Sequence, residues 1–131
     1  MNASKKMCVA IVDDDAVSGE FLAVVVAELG YCVKYFESAS SLLDARSTHR
    51  FHALILDLAM PEMDGIELLY KLAASPPVES IIVVSSMQSP VVNAAVTIGK
   101  SLGIPVMGSF HKPTSQGDLA AIQQILADCA L

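Results

Sequence analysis

ALILDLAMPEMDG, residues 53–65, is the stretch on which the fold reading turns. Four apolar residues, Ala53–Leu56, run without polar alternation and stop at Asp57. A loop shaped by Pro61 and Gly65 follows. From Asp64 to Ala74 the pattern turns helical, and Pro76-Pro77 then block continuation. A short unalternated apolar run fits a parallel strand covered on both faces. The segment therefore reads as strand, acid at the strand's carboxyl end, loop, helix.

Working outward, the same unit repeats. Apolar runs rich in Val and Ile stand at Met7–Val12, Tyr31–Phe36, Ile81–Val84 and Ile104–Phe110. Helical patterns lie between them. Val17–Leu29 ends at Gly30, a helix stop. Ser38–Arg46 opens on Ser, and Val91–Leu102 starts after Ser89-Pro90 and stops at Gly103. The last, from about Ser115 to Cys129, sets Leu119, Ile122, Leu126 and Cys129 on one face. Five strands alternating with five helices predict an α/β, doubly wound parallel sheet with helices on both faces. Such sheets bind ligands beyond the carboxyl ends of their strands, where the strand order reverses.

The 131 residues suit one domain spanning 1–131, with a core from about 7 to 130. At 53% hydrophobic and 17% charged, the chain has ample material for a packed core. Its apolar runs fall far short of the ~20 residues that cross a bilayer. Asp13 interrupts any signal-like segment after MNASKK, so a cytoplasmic protein is expected, without membrane contact. A net charge of −6 with scattered Lys and Arg excludes direct nucleic-acid binding through phosphates. Cys8, Cys32 and Cys129, odd in number and without metal-like spacing, read as buried free thiols. His49, His52 and His111 lack ligand spacing and read as surface or strand-edge residues.

The residues just after each run carry the chemistry. Asp13-Asp14-Asp15 follow the first, Asp57 the third, Ser85-Ser86 the fourth and Lys112-Pro113 the fifth. Taken singly, an Asp or Ser after a strand is often only a helix cap, and a lone Lys a solvated charge. Acids, hydroxyl and lysine recurring on one edge are much harder to explain as capping. Clustered carboxylates repel and are costly to desolvate without a cation. So few protein ligands favour Mg2+ over calcium, with Mn2+ as the substitute. A lysine and a hydroxyl suit phosphate oxygens. The set reads as a phosphoryl-binding pocket with an aspartate as nucleophile.

VDDD after the first strand, DLAMPEMDG around Asp57, Ser85 after the fourth strand and KP after the fifth resemble the receiver domain of response regulators in two-component signalling. The resemblance runs from Val9 to the last helix and implies a flavodoxin-like (CheY-like) strand order 2-1-3-4-5. It implies that Asp57 accepts a phosphoryl group from a histidine kinase or a histidine-containing phosphotransfer protein. Asp14 would bind the cation directly and Asp13 mainly through water, with Asp57 and the Ala59 carbonyl as further ligands. Ser85 and Lys112 would each hold a phosphoryl oxygen, and the backbone N–H groups of Ala59 and Ser86 the remaining charge. Asp15 reads as the cap of the first helix, and Pro113 would follow a cis peptide that aims Lys112 inward. An output domain in cis and a phosphorylation-dependent homodimer are the further partners implied.

The pattern bends in places. Receivers usually carry an aromatic residue three positions before the lysine; here Ser109 stands there, and strand alternation turns Phe110 to the opposite face. Ala59 and Met87, at positions flanking the phosphoryl group in related receivers, cannot orient water by hydrogen bonding. Slow loss of the phosphoryl group, over many minutes or longer, is expected. At ~100° per residue the apolar residues of Val91–Leu102 cover more than half the helix, leaving part of it for a partner. LGIPVMGSFHKP, residues 102–113, is similar to receivers attached to EAL-type cyclic-di-GMP phosphodiesterases.

Ending on the fifth helix suits either a stand-alone receiver or the regulatory part of a longer protein. A competing class is a Mg2+-dependent phosphatase or phosphotransferase of the haloacid-dehalogenase type. Those place a second acid two residues after the nucleophile, where this chain has Ala59. A third is a degenerate receiver acting as an unphosphorylated interaction domain. With every pocket residue present, a module that turns over no external substrate is the leading expectation.

Overall fold

The computed structural model describes residues 7–60 and 65–130. Strands and helices alternate: β1 Cys8–Val12, α1 Ala16–Glu28, β2 Cys32–Phe36, α2 Ala39–Arg46, β3 Ala53–Leu56, α3 Gly65–Ala73, β4 Ser80–Ser85, α4 Ser89–Ser101, β5 Val106–His111 and α5 Gln116–Cys129. All pairings are parallel, in the order β2-β1-β3-β4-β5. The doubly wound sheet and its strand order are as expected from the sequence.

The unalternated runs divide cleanly once folded. Ala10, Val12, Leu54, Leu56, Ile81 and Val83 pack beneath α2, α3 and α4, against Leu42, Leu68, Leu69, Leu72 and Ala95. Their strand neighbours Val9, Ile11, Ala53, Ile55, Ile82 and Val84 turn to α1 and α5, against Leu22, Val26, Ile122 and Leu126. Every second residue thus faces one core and the rest face the other. Each fully buried Leu or Ile contributes about 1.5–3 kcal/mol. The outer strands β2 and β5 are only half-buried, β5 alternating with exposed Met107, Ser109 and His111.

Helix ends follow local chemistry. Asp15 caps α1 by accepting from the Val17 N–H, as expected. Ser38 caps α2, and Ser115 with Asp118 forms a capping box on α5. Gly30 and Gly103, beyond α1 and α4, adopt φ of 97° and 81°, where a Cβ would be strained. The structure differs from the sequence reading at α4, which begins at Ser89 and not Val91: Pro90 sits in the first turn, where its missing N–H costs nothing. The expected start of α3 at Asp64 and the loop role of Pro61 lie outside the described residues.

The cysteines are free but half-buried, where full burial was expected. Cys8 and Cys32 are the first residues of β1 and β2, where burial is only partial. The three histidines are exposed, as expected. On α4 the apolar stripe splits. Val92, Ala95 and Gly99 are buried, whereas Val91 and Ala94 face outward.

One anchor was invisible in the sequence. Arg46, the last residue of α2, makes a two-pronged ion pair with the buried Glu79, 2.7 and 3.0 Å away, and also donates to the Ser75 and Pro77 carbonyls. It ties α2 to the approach of β4, across a cis Pro76-Pro77 bond.

Candidate functional site

The chain runs from β1 to β2 on one side and returns to β3 on the other, so the order reverses between β1 and β3. Asp13 and Asp57 follow these two strands directly. The Asp57 N–H donates to the Val12 carbonyl at 2.9 Å, and the Asp13 N–H to Phe36 at 3.1 Å, so strand hydrogen bonding holds both backbones. Both carboxylates are buried, at 2% and 5% exposure. Asp14, between them and solvent, is exposed. Carboxylate oxygens of Asp13, Asp14 and Asp57 lie within 4.8 Å of one another, the one such grouping of possible metal ligands among the described residues.

Lys112 completes the cluster from the end of β5. Its ammonium donates to Asp13 Oδ2 at 2.7 Å and to Asp57 Oδ2 at 3.0 Å. The Lys112-Pro113 bond is cis, as expected, and the Lys112 N–H donates to the Ser85 carbonyl. The other oxygens are also engaged. Asp13 Oδ1 accepts from the Asp15 N–H and Asp57 Oδ1 from the Ala59 N–H at 3.0 Å. Gly65, at the start of α3, donates to the Leu58 carbonyl. A Cβ there would lie 2.7 Å from the Leu58 Cα, so only glycine lets α3 close against the loop after Asp57.

Ser85, fully buried, ends β4 beside β3. Its hydroxyl oxygen accepts from the Met87 N–H, which leaves the O–H proton free to donate. Ser86 is exposed on the same edge. Of the sequence-predicted residues, Asp13, Asp14 and Asp57 are in mutual reach, and Lys112 contacts Asp13 and Asp57. Ser85, Ser86 and Ala59 rim the same strand edge. At Ser109, where an aromatic was missing, a cavity of about 110 Å³ opens, lined by Ser85, Met87, Val92 and Ser109. Phe110 turns to the α1–α5 core, as alternation predicted.

Tyr35 was missed. Its hydroxyl donates to the Asp13 carbonyl at 2.7 Å, pinning the residue from β2. Alternation places Tyr35 on the α1 face, but only the β1–β2 register brings it to Asp13.

The electrostatics are unbalanced. Three carboxylates gather at the strand ends, and the one ammonium, Lys112, pairs with two of them. Burial pushes the Asp13 carboxyl above its usual 3.8, with Asp57 adding to the rise and Lys112 and the Asp15 N–H opposing it. Burial alone would lower Lys112, but its hydrogen bonds to Asp13 and Asp57 outweigh that and hold it above 10.5. With its folded-state pKa raised, ionised Asp13 costs stability. That cost appears as pH rises from about 3.8 through the raised value, and it persists at neutral pH. Asp13→Asn is therefore expected to raise the Tm of EDTA-treated protein by a few degrees. If the cluster takes Mg2+, the substitution should also remove most of the rise in Tm expected for wild type, since a cation at a hundredfold its Kd adds about 2.7 kcal/mol. Thermal melts with and without Mg2+ check both; a lower metal-free Tm in the variant would overturn the reading.

The comparisons with known proteins agree with this geometry. The family model for the response regulator receiver domain matches residues 9–124. The transcriptional regulatory protein FixJ of Bradyrhizobium diazoefficiens is 36% identical over 64 residues, 49% of this chain and 31% of that protein. The response regulator protein TmoT of Ectopseudomonas mendocina is 43% identical over 63 residues, 48% of this chain and 29% of that protein. The aligned stretch thus spans about a third of the first curated relatives' length. A response regulator of Colwellia psychrerythraea superposes with a TM-score of 0.77 at 30% identity, over 96% of this chain and 98% of that one. No helix among the described residues is long and apolar enough to cross a membrane. Strand order, acidic cluster and bridging lysine all lead to one conclusion: the chain belongs to the response regulator receiver domain family of two-component signalling.

Proposed function

We propose that Asp57 is the phosphoacceptor of this receiver, and that the 131 residues work as one switch unit that turns over no external substrate. The observation that carries the reading is the Lys112 ammonium set between Asp13 and Asp57, with Asp14 in reach of both. A cluster with more carboxylates than cations fits a divalent ion, and Asp13, Asp14, Asp57 and the Ala59 carbonyl would hold Mg2+ or Mn2+. The bound ion would neutralise charge on the phosphoryl oxygens.

An Asp57 carboxylate oxygen attacks phosphorus as the nitrogen–phosphorus bond of the donor's phosphohistidine breaks. Lys112 exchanges its Asp57 contact for a phosphoryl oxygen, and Ser85 donates its free O–H to another. The Ala59 N–H, which donates to Asp57 Oδ1 before phosphorylation, and the Ser86 N–H would hold the remaining charge.

The donor is a histidine kinase or a phosphotransfer protein. Val17, Phe21 and Val24 are 80%, 51% and 57% exposed at helical spacing on α1. Val17 and Phe21 border a cavity of about 360 Å³ that reaches Lys112, Pro113 and Thr114, which supports docking of an apolar partner helix beside the site. Output passes to a domain in cis, of EAL type by the resemblance of residues 102–113, or to a second copy, with Val91 and Ala94 of α4 left for contact. A cytoplasmic setting fits all of these partners.

Incubation of wild type with acetyl phosphate and Mg2+, read by intact mass, is expected to give a single phosphate adduct that EDTA prevents. With Ala59 and Met87 unable to orient water, the adduct should decay over many minutes or longer after donor removal; a half-life of seconds would refute that part. No adduct and no Mg2+ binding would make the chain an unphosphorylated interaction module.

A further inference from the structure

Cys8 and Cys32 occupy paired positions on the neighbouring parallel strands β1 and β2. Paired residues project to the same face of a sheet, and neighbouring strands lie ~4.8 Å apart. That falls inside the roughly 4.4–6.8 Å Cα separation a disulfide spans. Both thiols are free and half-buried, and β2 is an outer strand, so a small reagent can reach them. Cys129 is set apart: Cys8 packs with the core beneath α2, α3 and α4, and Cys129 with the opposite core.

We propose that Cys8 and Cys32 form a dithiol that a two-electron oxidant of the azodicarboxamide or hydroperoxide class closes to an intrachain disulfide, stapling β1 to β2. With an azodicarboxamide, one thiol sulfur adds to a nitrogen of the N=N bond. The other sulfur then displaces it. Two S–H bonds break, one S–S bond forms, and the azo group takes two protons and two electrons to become a hydrazine.

The thiols are close enough to act on each other. Burial first, and the Cys32 thiol next, push the Cys8 thiol up to about 11, with Lys34 pulling the other way. Cys8 is therefore a poor initiator, and it serves as the thiol that resolves an adduct formed on Cys32. Cys8 opens β1 whereas Asp13 follows its far end, roughly 16 Å away at ~3.3 Å per residue. Closure leaves the acidic cluster untouched. It constrains the loop that contains α1 and secures an outer strand, so it raises Tm by several degrees.

The test is to treat the full chain with diamide, then measure intact mass, map non-reduced peptides and record Tm. Wild type and Cys129→Ser are expected to lose two hydrogens, to yield a linked Cys8–Cys32 peptide, and to melt higher until dithiothreitol reverses both changes. Cys8→Ser and Cys32→Ser should show neither change. A wild type that keeps both thiols, carries separate adducts on them, or links Cys129 or a second chain instead would overturn the proposal. The peptide map on wild type decides the matter even if a serine variant fails to fold. Acetyl phosphate labelling of the closed form should match the reduced form, so this result stands apart from the phosphoacceptor reading.

Discussion

Asp57→Asn is expected to abolish the phosphate adduct completely while leaving the protein folded. The amide carries no carboxylate to attack phosphorus, and no other described residue combines burial, Lys112 contact and a position beyond the central strand β3. The fold should not suffer. Asparagine keeps the side chain's shape and one carbonyl oxygen, which can still accept from the Ala59 N–H. Its neutrality also relieves Asp13, whose ionisation Asp57 opposes. Intact mass after acetyl phosphate, beside a thermal melt, checks both halves. An adduct of unchanged yield would move the acceptor to another residue. A collapse in Tm would mean that the charge of Asp57 is needed for folding.

Lys112→Met should produce the next largest effect, and of a different kind. Removing the ammonium leaves two buried carboxylates facing each other without a counter-charge. The loss is about 1–3 kcal/mol, less than the ~3–5 of a fully buried pair because Lys112 retains some water contact. Mg2+ bound as proposed would supply the missing charge, so it should raise the Tm of the variant by more than that of wild type. Phosphorylation should slow roughly 100-fold or more, as when one preorganised donor is removed. The pH profile adds a check. The pairing of Lys112 stabilises wild type below 10.5 and is lost as pH rises through its raised folded value. The variant should lack that alkaline loss. Equal Mg2+ responses in the two proteins would show that lysine and cation do not balance the same charges.

Much of this was legible before folding. Parallel strands buried on both faces require unbroken Val, Ile and Leu runs, and the α/β alternation follows from their spacing. Because such sheets expose their strand ends as a crevice, Asp13, Asp57, Ser85 and Lys112 declared themselves as candidates by position. Asp15 was a cap by type and place, and it caps α1 in the structure. Boundaries moved where local rules compete, as at Pro90, which joins α4 because a first-turn residue needs no N–H partner.

By itself, then, the sequence determined the elements, their order along the chain and which residues stand at the working edge, because these depend on periodicity and on each residue's own backbone chemistry. Only the tertiary structure decided who meets whom. Lys112 reaches Asp13 across 99 residues and Asp57 across 55. Tyr35 finds the Asp13 carbonyl, Arg46 finds Glu79, and Cys8 finds Cys32 only through strand register and helix packing. The cavity at Ser109 likewise forms only where Val92 and Asn93 of α4 meet Ser109 of β5. A local pattern has no access to such distances, since burial energy assigns partners only when the whole sheet closes.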